Sequence, residues 1–217
     1  MNSVQIITDP GSCFLGKLEY AKELIKISVD CGADAIKFQL FKNKPPNIEL
    51  PYEWFPELVS YGYDLGIEVF ASAFDTEAVV LITQNCSSIK FAYSVNPDKY
   101  WSASLCDHFK KIYISGDIMT DFPVGDNVIK LMCIPEYPVK YTVNFEGIFP
   151  RFEGWSSHCL GVYQDFKAVL AGATVVEKHI RLESDECLQV PDGRFALRPK
   201  ELSDLVEGIR SVSNYSS

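Results

Sequence analysis

The sequence predicts a parallel α/β protein, either a (β/α)8 TIM-type barrel or an open doubly wound sheet, and two observations carry that prediction. Eight short apolar, β-branched runs recur along the 217 residues, several without polar alternation, as expected of parallel strands buried on both faces. Between them lie segments whose apolar residues step by three or four, the mark of crossover helices that return the chain to its starting edge.

Taken in order, the first strand is 4–8 (VQIIT), followed by a helix over 18–30. That helix sets Leu18, Ala21, Leu24, Ile25 and Ser28 on one face and is stopped by Cys31-Gly32. The second strand is 35–39 (AIKFQ), and a helix over 53–65 ends before Gly66. The third strand, 68–71, leads to a helix over 76–84 with Thr76 as its N-cap. The fourth strand, 89–92, is followed by a helix-like segment at 100–108, and the fifth strand is 112–115. The next connection, 116–127, carries Pro123, Gly125 and Asp126 and is too broken for a full helix. After the sixth strand, 128–133, the stretch 135–151 contains three prolines, so the architecture is trimmed after strands 5 and 6. The seventh and eighth strands, 154–156 and 174–177, flank a helix over 163–171 that ends before Gly172. A last helix follows Pro199 over 200–212, and the tail 211–217 is expected to fray.

Composition narrows the function classes. Residues 1–217 are expected to form one domain, with 47% hydrophobic and 23% charged residues, ordinary for a packed globular core. Lys and Arg number 20 against 29 Asp and Glu, a formal charge of -9 with no basic patch, which argues against a nucleic-acid partner. No apolar run approaches the roughly 20 residues of a bilayer span, so no membrane partner is expected. The seven cysteines (Cys13, Cys31, Cys86, Cys106, Cys133, Cys159, Cys187) are scattered without a Cys-x-x-Cys pair, and a cytoplasmic location fits best.

Chemistry-bearing residues fall at strand ends. His158 (GWSSH) and His179 (VVEKH) end adjacent strands 21 residues apart. In a barrel they would share the catalytic mouth and hold one divalent ion between them; the alternative is that each merely bonds to a loop. Lys37 and Lys90 lie inside apolar strands, where an ammonium needs an anion. That anion is either an internal carboxylate, Glu68, Glu177 or Asp34, or a ligand phosphate or carboxylate. Ser72 and Ser156 also end strands and can donate hydroxyls to a phosphate. His108 suits a helix C-terminus. Cys13, just past the first strand, is either a third metal ligand or a buried structural thiol.

Six ordered elements resemble the sialic acid (N-acetylneuraminate) synthase family over nearly the whole length: GADAIKFQ at 32–39, ASAFD at 71–75, KFAYS at 90–94, MCIPEYP at 132–138, the pair GWSSH and EKHI, and PDGRFALRPKEL at 191–202. The resemblance selects the closed barrel. It implies condensation of phosphoenolpyruvate with an amino-sugar aldehyde such as N-acetylmannosamine to a nine-carbon 2-keto sugar acid. It implies Mn²⁺, with Mg²⁺ or Co²⁺ as substitutes, on His158 and His179. Lys37, Lys90 and Asp9 would be catalytic, and Ser72, Ser94, Ser115, Tyr137, Ser156 and Asp192 would bind substrate. Glu177 would orient the metal site. Members usually carry a further antifreeze-like domain, which this chain is expected to lack, so a homodimer would use the barrel's own surface. Three elements depart from the family pattern. Residues 8–16 read TDPGSCFLG, with Asp9 for the usual glutamate; the family's catalytic glutamate falls on Val95, two residues after Tyr93; and the fifth strand reads SGDIM, placing Asp117 at the mouth. Two alternatives therefore stand beside the leading one: a different aldehyde or sugar phosphate as acceptor, or a metal- or anion-binding barrel acting as a partner protein without catalysis.

Overall fold

A computed structural model describes residues 4–100, 102–149 and 151–215. Eight strands, β1 (Gln5–Asp9), β2 (Ala35–Leu40), β3 (Glu68–Ala73), β4 (Ser88–Phe91), β5 (Lys111–Gly116), β6 (Val128–Cys133), β7 (Gly154–Ser157) and β8 (Val175–His179), pair in chain order, all parallel. β8 closes on β1 over five residue pairs, which rules out the open sheet. Six helices surround the barrel: α1 (Leu18–Asp30), α2 (Phe55–Asp64), α3 (Thr76–Asn85), α4 (Ala103–His108), α5 (Tyr163–Leu170) and α6 (Pro199–Tyr215). No helix follows β5 or β6 among the described residues, as the prolines and glycines there demand.

Several boundaries differ from the sequence reading for local reasons. Asp75, not Thr76, caps α3, its Oδ1 accepting from the Ala78 amide at 2.7 Å while Oδ2 takes the Tyr52 hydroxyl at 2.7 Å. Helix 53–65 opens as a 3-10 turn over Tyr52–Trp54 before α2 begins, because Pro56 fits the first helical turn. Segment 100–108 contracts to α4, with the Ser102 hydroxyl accepting from the Leu105 amide at 3.2 Å. α6 runs to Tyr215, past the 200–212 span read from sequence; residues 216–217 lie outside the described residues.

Two missing helices leave two strands to be covered by loops. The segments after β5 and β6 do this with aromatic residues: Phe145 packs edge-on against Trp155 at 5.0 Å and Phe122 against Phe152 at 5.6 Å. These rings form a separate apolar cluster with Met132, Val139 and Ala168. Elsewhere the outward strand residues, such as Ile6, Ile36, Val69, Ile89, Ile112 and Val176, join one cluster with the helices.

The inward residues, every second position along each strand, fall into two layers. The lower layer is apolar: Ile7, Ala35, Phe70, Tyr113, Leu131 and Val175, with the Phe70 and Tyr113 rings stacked at 5.2 Å. One step toward the C-terminal ends, the same strands present Asp9, Lys37, Ser72, Lys90, Ser115, Cys133, Ser156 and Glu177, all buried. Strand register aligns this upper layer, pairing Ser72 with Lys90, Cys133 with Ser156, Ser156 with Glu177 and Asp9 with His179.

Candidate active site

The upper layer is a chain of alternating charges. Lys37 Nζ donates to Asp9 Oδ2 at 2.6 Å and lies 3.5 Å from Glu177 Oε1. Lys90 Nζ donates to the same Glu177 oxygen, which also accepts from Ser156 Oγ at 3.0 Å. Asp9 further accepts from Gln39 Nε2 and from the Gly11 amide at 2.9 Å. Of the carboxylates that sequence offered to the lysines, only Glu177 is used. Asp34 pairs with Arg210 at 2.6 Å, and Glu68 accepts from Ser88.

Electrostatics follow from this geometry. Burial pushes Glu177 up, but the Lys37 and Lys90 ammonium groups outweigh it and hold the carboxyl below its ordinary range. Burial likewise opposes ionisation of Asp9, and His179 and Lys37 together overcome it. Lys37 is pushed down by burial and raised further by Asp9 and Glu177, so it stays charged. Lys90 is lowered, because burial and the nearby Lys37 work against its bond to Glu177. Two ammonium groups thus face two carboxylates, a balance of zero in the absence of ligand.

His158 and His179 converge on the same mouth, their ring centroids 5.6 Å apart. Phe195 stands edge-on to both, at 5.9 and 5.1 Å. The His158 Nδ1–H donates to the Ile134 carbonyl at 3.1 Å, which leaves the lone pair on Nε2. Burial, then the neighbouring His179, lowers His158 to about 3, so its ring is neutral, the state a metal ligand requires. His179 Nδ1 is buried without a hydrogen-bond partner, and its Nε2 lies 3.5 Å from Asp9 Oδ2. These donors suit a divalent cation. Among the described residues no group of three or more His, Cys, Asp or Glu side chains is arranged to enclose one, so water or substrate oxygens would complete the coordination.

Above the layer opens a cavity of about 360 Å³ whose wall includes Gln39, Tyr93, Ser94, Tyr137, His179 and Asp192. Asp192 is carried over the mouth by the loop after β8 and accepts from the Ser12 amide at 3.1 Å. Gly11 permits this approach, since a Cβ there would stand 2.2 Å from Asp192 Oδ2. Ser72 Oγ and Ser115 Oγ are buried with no partner among the described residues. Tyr93 donates its hydroxyl to Asp117 Oδ2 at 2.7 Å. Val95 packs against the main apolar cluster.

The family model of the NeuB family matches residues 43–217. The chain belongs to the NeuB family. Among relatives, it is 27% identical to the N,N'-diacetyllegionaminic acid synthase of Legionella pneumophila, over 95% of this chain and 71% of that protein. It is 28% identical to the human N-acetylneuraminate-9-phosphate synthase, over 95% of this chain and 69% of that one. The crystal structure of an N-acetylneuraminic acid synthetase from Leptospira borgpetersenii in complex with citrate superposes with a TM-score of 0.82 at 24% identity, covering 100% of this chain and 87% of that one, and shares the barrel fold.

Measured against this NeuB barrel, the sequence-derived candidates sort into three depths. Lys37, Lys90, Asp9, Ser72, Ser115 and Ser156 form the buried floor, His158 and His179 the mouth, and Ser94, Tyr137 and Asp192 the rim. Cys13 is not with the histidines: it lies in the main apolar cluster, and its thiol is held protonated by its hydrogen bond with Cys187 and then by burial. His108 is exposed at the end of α4, edge-on to Phe109. Sequence reasoning missed Gln39, two residues past Lys37 on the same inward face, and Phe195, which packs edge-on against both histidines. It also missed Lys178, fully buried outside the barrel and held by Asp165 at 3.2 Å and the Cys159 carbonyl at 2.6 Å.

Proposed function

We propose that this chain condenses phosphoenolpyruvate with an amino-sugar aldehyde, N-acetylmannosamine-like, to give a nine-carbon 2-keto sugar acid and inorganic phosphate, with a divalent metal held by His158 and His179. The observation that carries the reading is the pair of upper-layer hydroxyls left without a partner among the described residues. Two buried ammonium groups share the layer with the Ser72 and Ser115 hydroxyls, which have no partner among the described residues, and a buried hydroxyl left unpaired costs about 1–3 kcal/mol. An anionic ligand with carboxylate and phosphate oxygens would satisfy them.

In the reaction, C3 of phosphoenolpyruvate bonds to the aldehyde carbon, a water oxygen adds at C2, and the C2–O bond to phosphate breaks. Lys37, Lys90 and the serines would orient the enol ester, converting a bimolecular encounter into a positioned one. Mn²⁺, or Mg²⁺ or Co²⁺ in its place, would supply Lewis acidity at the aldehyde oxygen. Its charge also answers the balance of zero at the mouth, which a strongly anionic substrate would otherwise upset. Asp192, Ser94 and Tyr137 would contact the sugar from the rim.

The position of Val95 favours a second reading, a barrel that binds metal or anion without turnover, because a packed valine cannot relay a proton. Phosphate release from phosphoenolpyruvate with N-acetylmannosamine and manganese separates the two. The condensation reading expects release that His158→Ala and His179→Ala each abolish; stoichiometric manganese with no release for any aldehyde would support the second.

A further inference from the structure

Three buried side chains carry a positive charge with a carboxylate within salt-bridge distance: Lys37, Lys90 and Lys178. Arg181 is also buried, at 5% exposure, but it has no carboxylate partner among the described residues. Its Nη1 donates to the carbonyls of Leu182 and Ser184, each at 3.2 Å, and its Nε and Nη2 donors make no hydrogen bond to a described residue. A buried guanidinium without a counter-charge is costly, and its planar fork matches an oxyanion.

Arg181 lines a cavity of about 250 Å³, separate from the mouth, whose wall also includes Leu160, Gly161, Arg194, Arg198 and Glu201. Arg194 is exposed with no partner among the described residues. Arg198 reaches only Asp185, at 3.8 Å, and that carboxylate is 83% exposed; such a pair contributes little. The one acidic group in the wall, Glu201, spends Oε2 on the Arg198 amide at 2.8 Å. Three arginines thus line one cavity in a chain of net charge -9. The cavity is built from the loops after β7 and β8 and the first turn of the 17-residue α6, the corner where (β/α)8 barrels commonly hold phosphate and where a helix dipole favours an anion. The loop that delivers Arg194 is drawn tight, since a Cβ on Gly193 would meet the Cys187 carbonyl oxygen at 1.6 Å.

We propose that this cavity is a second oxyanion site, which binds a phosphate group through Arg181, Arg194 and Arg198. The phosphate comes either from a phosphorylated sugar or from free inorganic phosphate. Phe195 belongs to its wall and also stands edge-on to both histidines, so the site adjoins the mouth without sharing its lysines. The inference goes beyond the condensation reading and does not depend on it.

Calorimetric titration with inorganic phosphate, compared between the parent chain and a variant of the cavity wall, tests the site directly. Binding should weaken at least about tenfold, or 1.4 kcal/mol, in the double variant Arg194→Ala/Arg198→Ala, whose exposed side chains the fold does not need. An aldohexose 6-phosphate that competes with inorganic phosphate, and whose unphosphorylated form does not, assigns the site to the sugar's phosphate; inorganic phosphate that binds without such competition assigns it to the free ion. Phosphate binding that is absent, or unchanged in the double variant, overturns the proposal, and does so whether or not the chain releases phosphate from phosphoenolpyruvate.

Discussion

The two layers inside the barrel come from the same strands, one inward step apart, and they do opposite things. The lower layer stacks Phe70 on Tyr113 among Ile7, Leu131 and Val175 and closes the barrel floor with apolar contact. The upper layer buries two ammonium groups, two carboxylates and two hydroxyls without partners. Close packing below makes that arrangement tolerable above: a polar layer that leaves donors unpaired is held in place by strands whose registry is fixed two residues earlier. Stability and chemistry are thus separated along the barrel axis by a single pleat.

The sharpest way to break this comparison is to mutate each layer alone. Phe70→Ala should lower the unfolding free energy by about 3–5 kcal/mol, as for a large aromatic removed from a packed core. Urea denaturation reads this, and the folded fraction should keep its phosphoenolpyruvate affinity. Lys90→Met should do the reverse, cutting phosphate release on the order of 10²–10³-fold, the usual effect of removing one charge-stabilising donor. Equal losses of affinity in both variants would show that the layers are not separable.

Acid titration sharpens the contrast further. His158 is lowered from 6.5 to about 3, so between those values the unfolded chain binds a proton that the folded chain does not. Stability therefore rises with pH across that window. In metal-stripped protein it should fall by up to about 1.4 kcal/mol per pH unit below 6.5, and His158→Gln should flatten the slope when unfolding is measured from pH 7 to 4. The smallest effect is expected at Ser72→Ala. Removing an unpaired buried hydroxyl should raise stability by about 1 kcal/mol in thermal melts while weakening phosphoenolpyruvate binding, a gain in one property against a loss in the other.

Much of this was legible in the sequence, and the parts that were not share a cause. The eight strands could be read because short runs of three to six residues between helical patterns are a local signal. Lys37 and Lys90 stood out because an ammonium in such a run is anomalous. The pairing of Lys37 with Asp9 was not legible, since Asp9 lies 28 residues away and the register that sets β1 level with β2 is written in neither strand. Asp75 as the cap of α3 was hidden by the adjacent Thr76, an equally good capping type. Lys178 escaped notice because its partner Asp165 sits on a helix outside the barrel, where sequence periodicity offers no hint of a charge pair. The apolar covering of β6 and β7 by Phe145 and Phe152 was also invisible, because loops carry no period to read.

Calorimetric binding of phosphoenolpyruvate, with and without manganese, tests the central idea most directly. With Lys37 and Lys90 already offset by Asp9 and Glu177, the trianion should bind well only once a divalent ion adds charge. Affinity should rise at least about tenfold with manganese, and His158→Ala or His179→Ala should cancel that rise. Equal affinity with and without the ion, or a rise that survives both substitutions, would contradict the account.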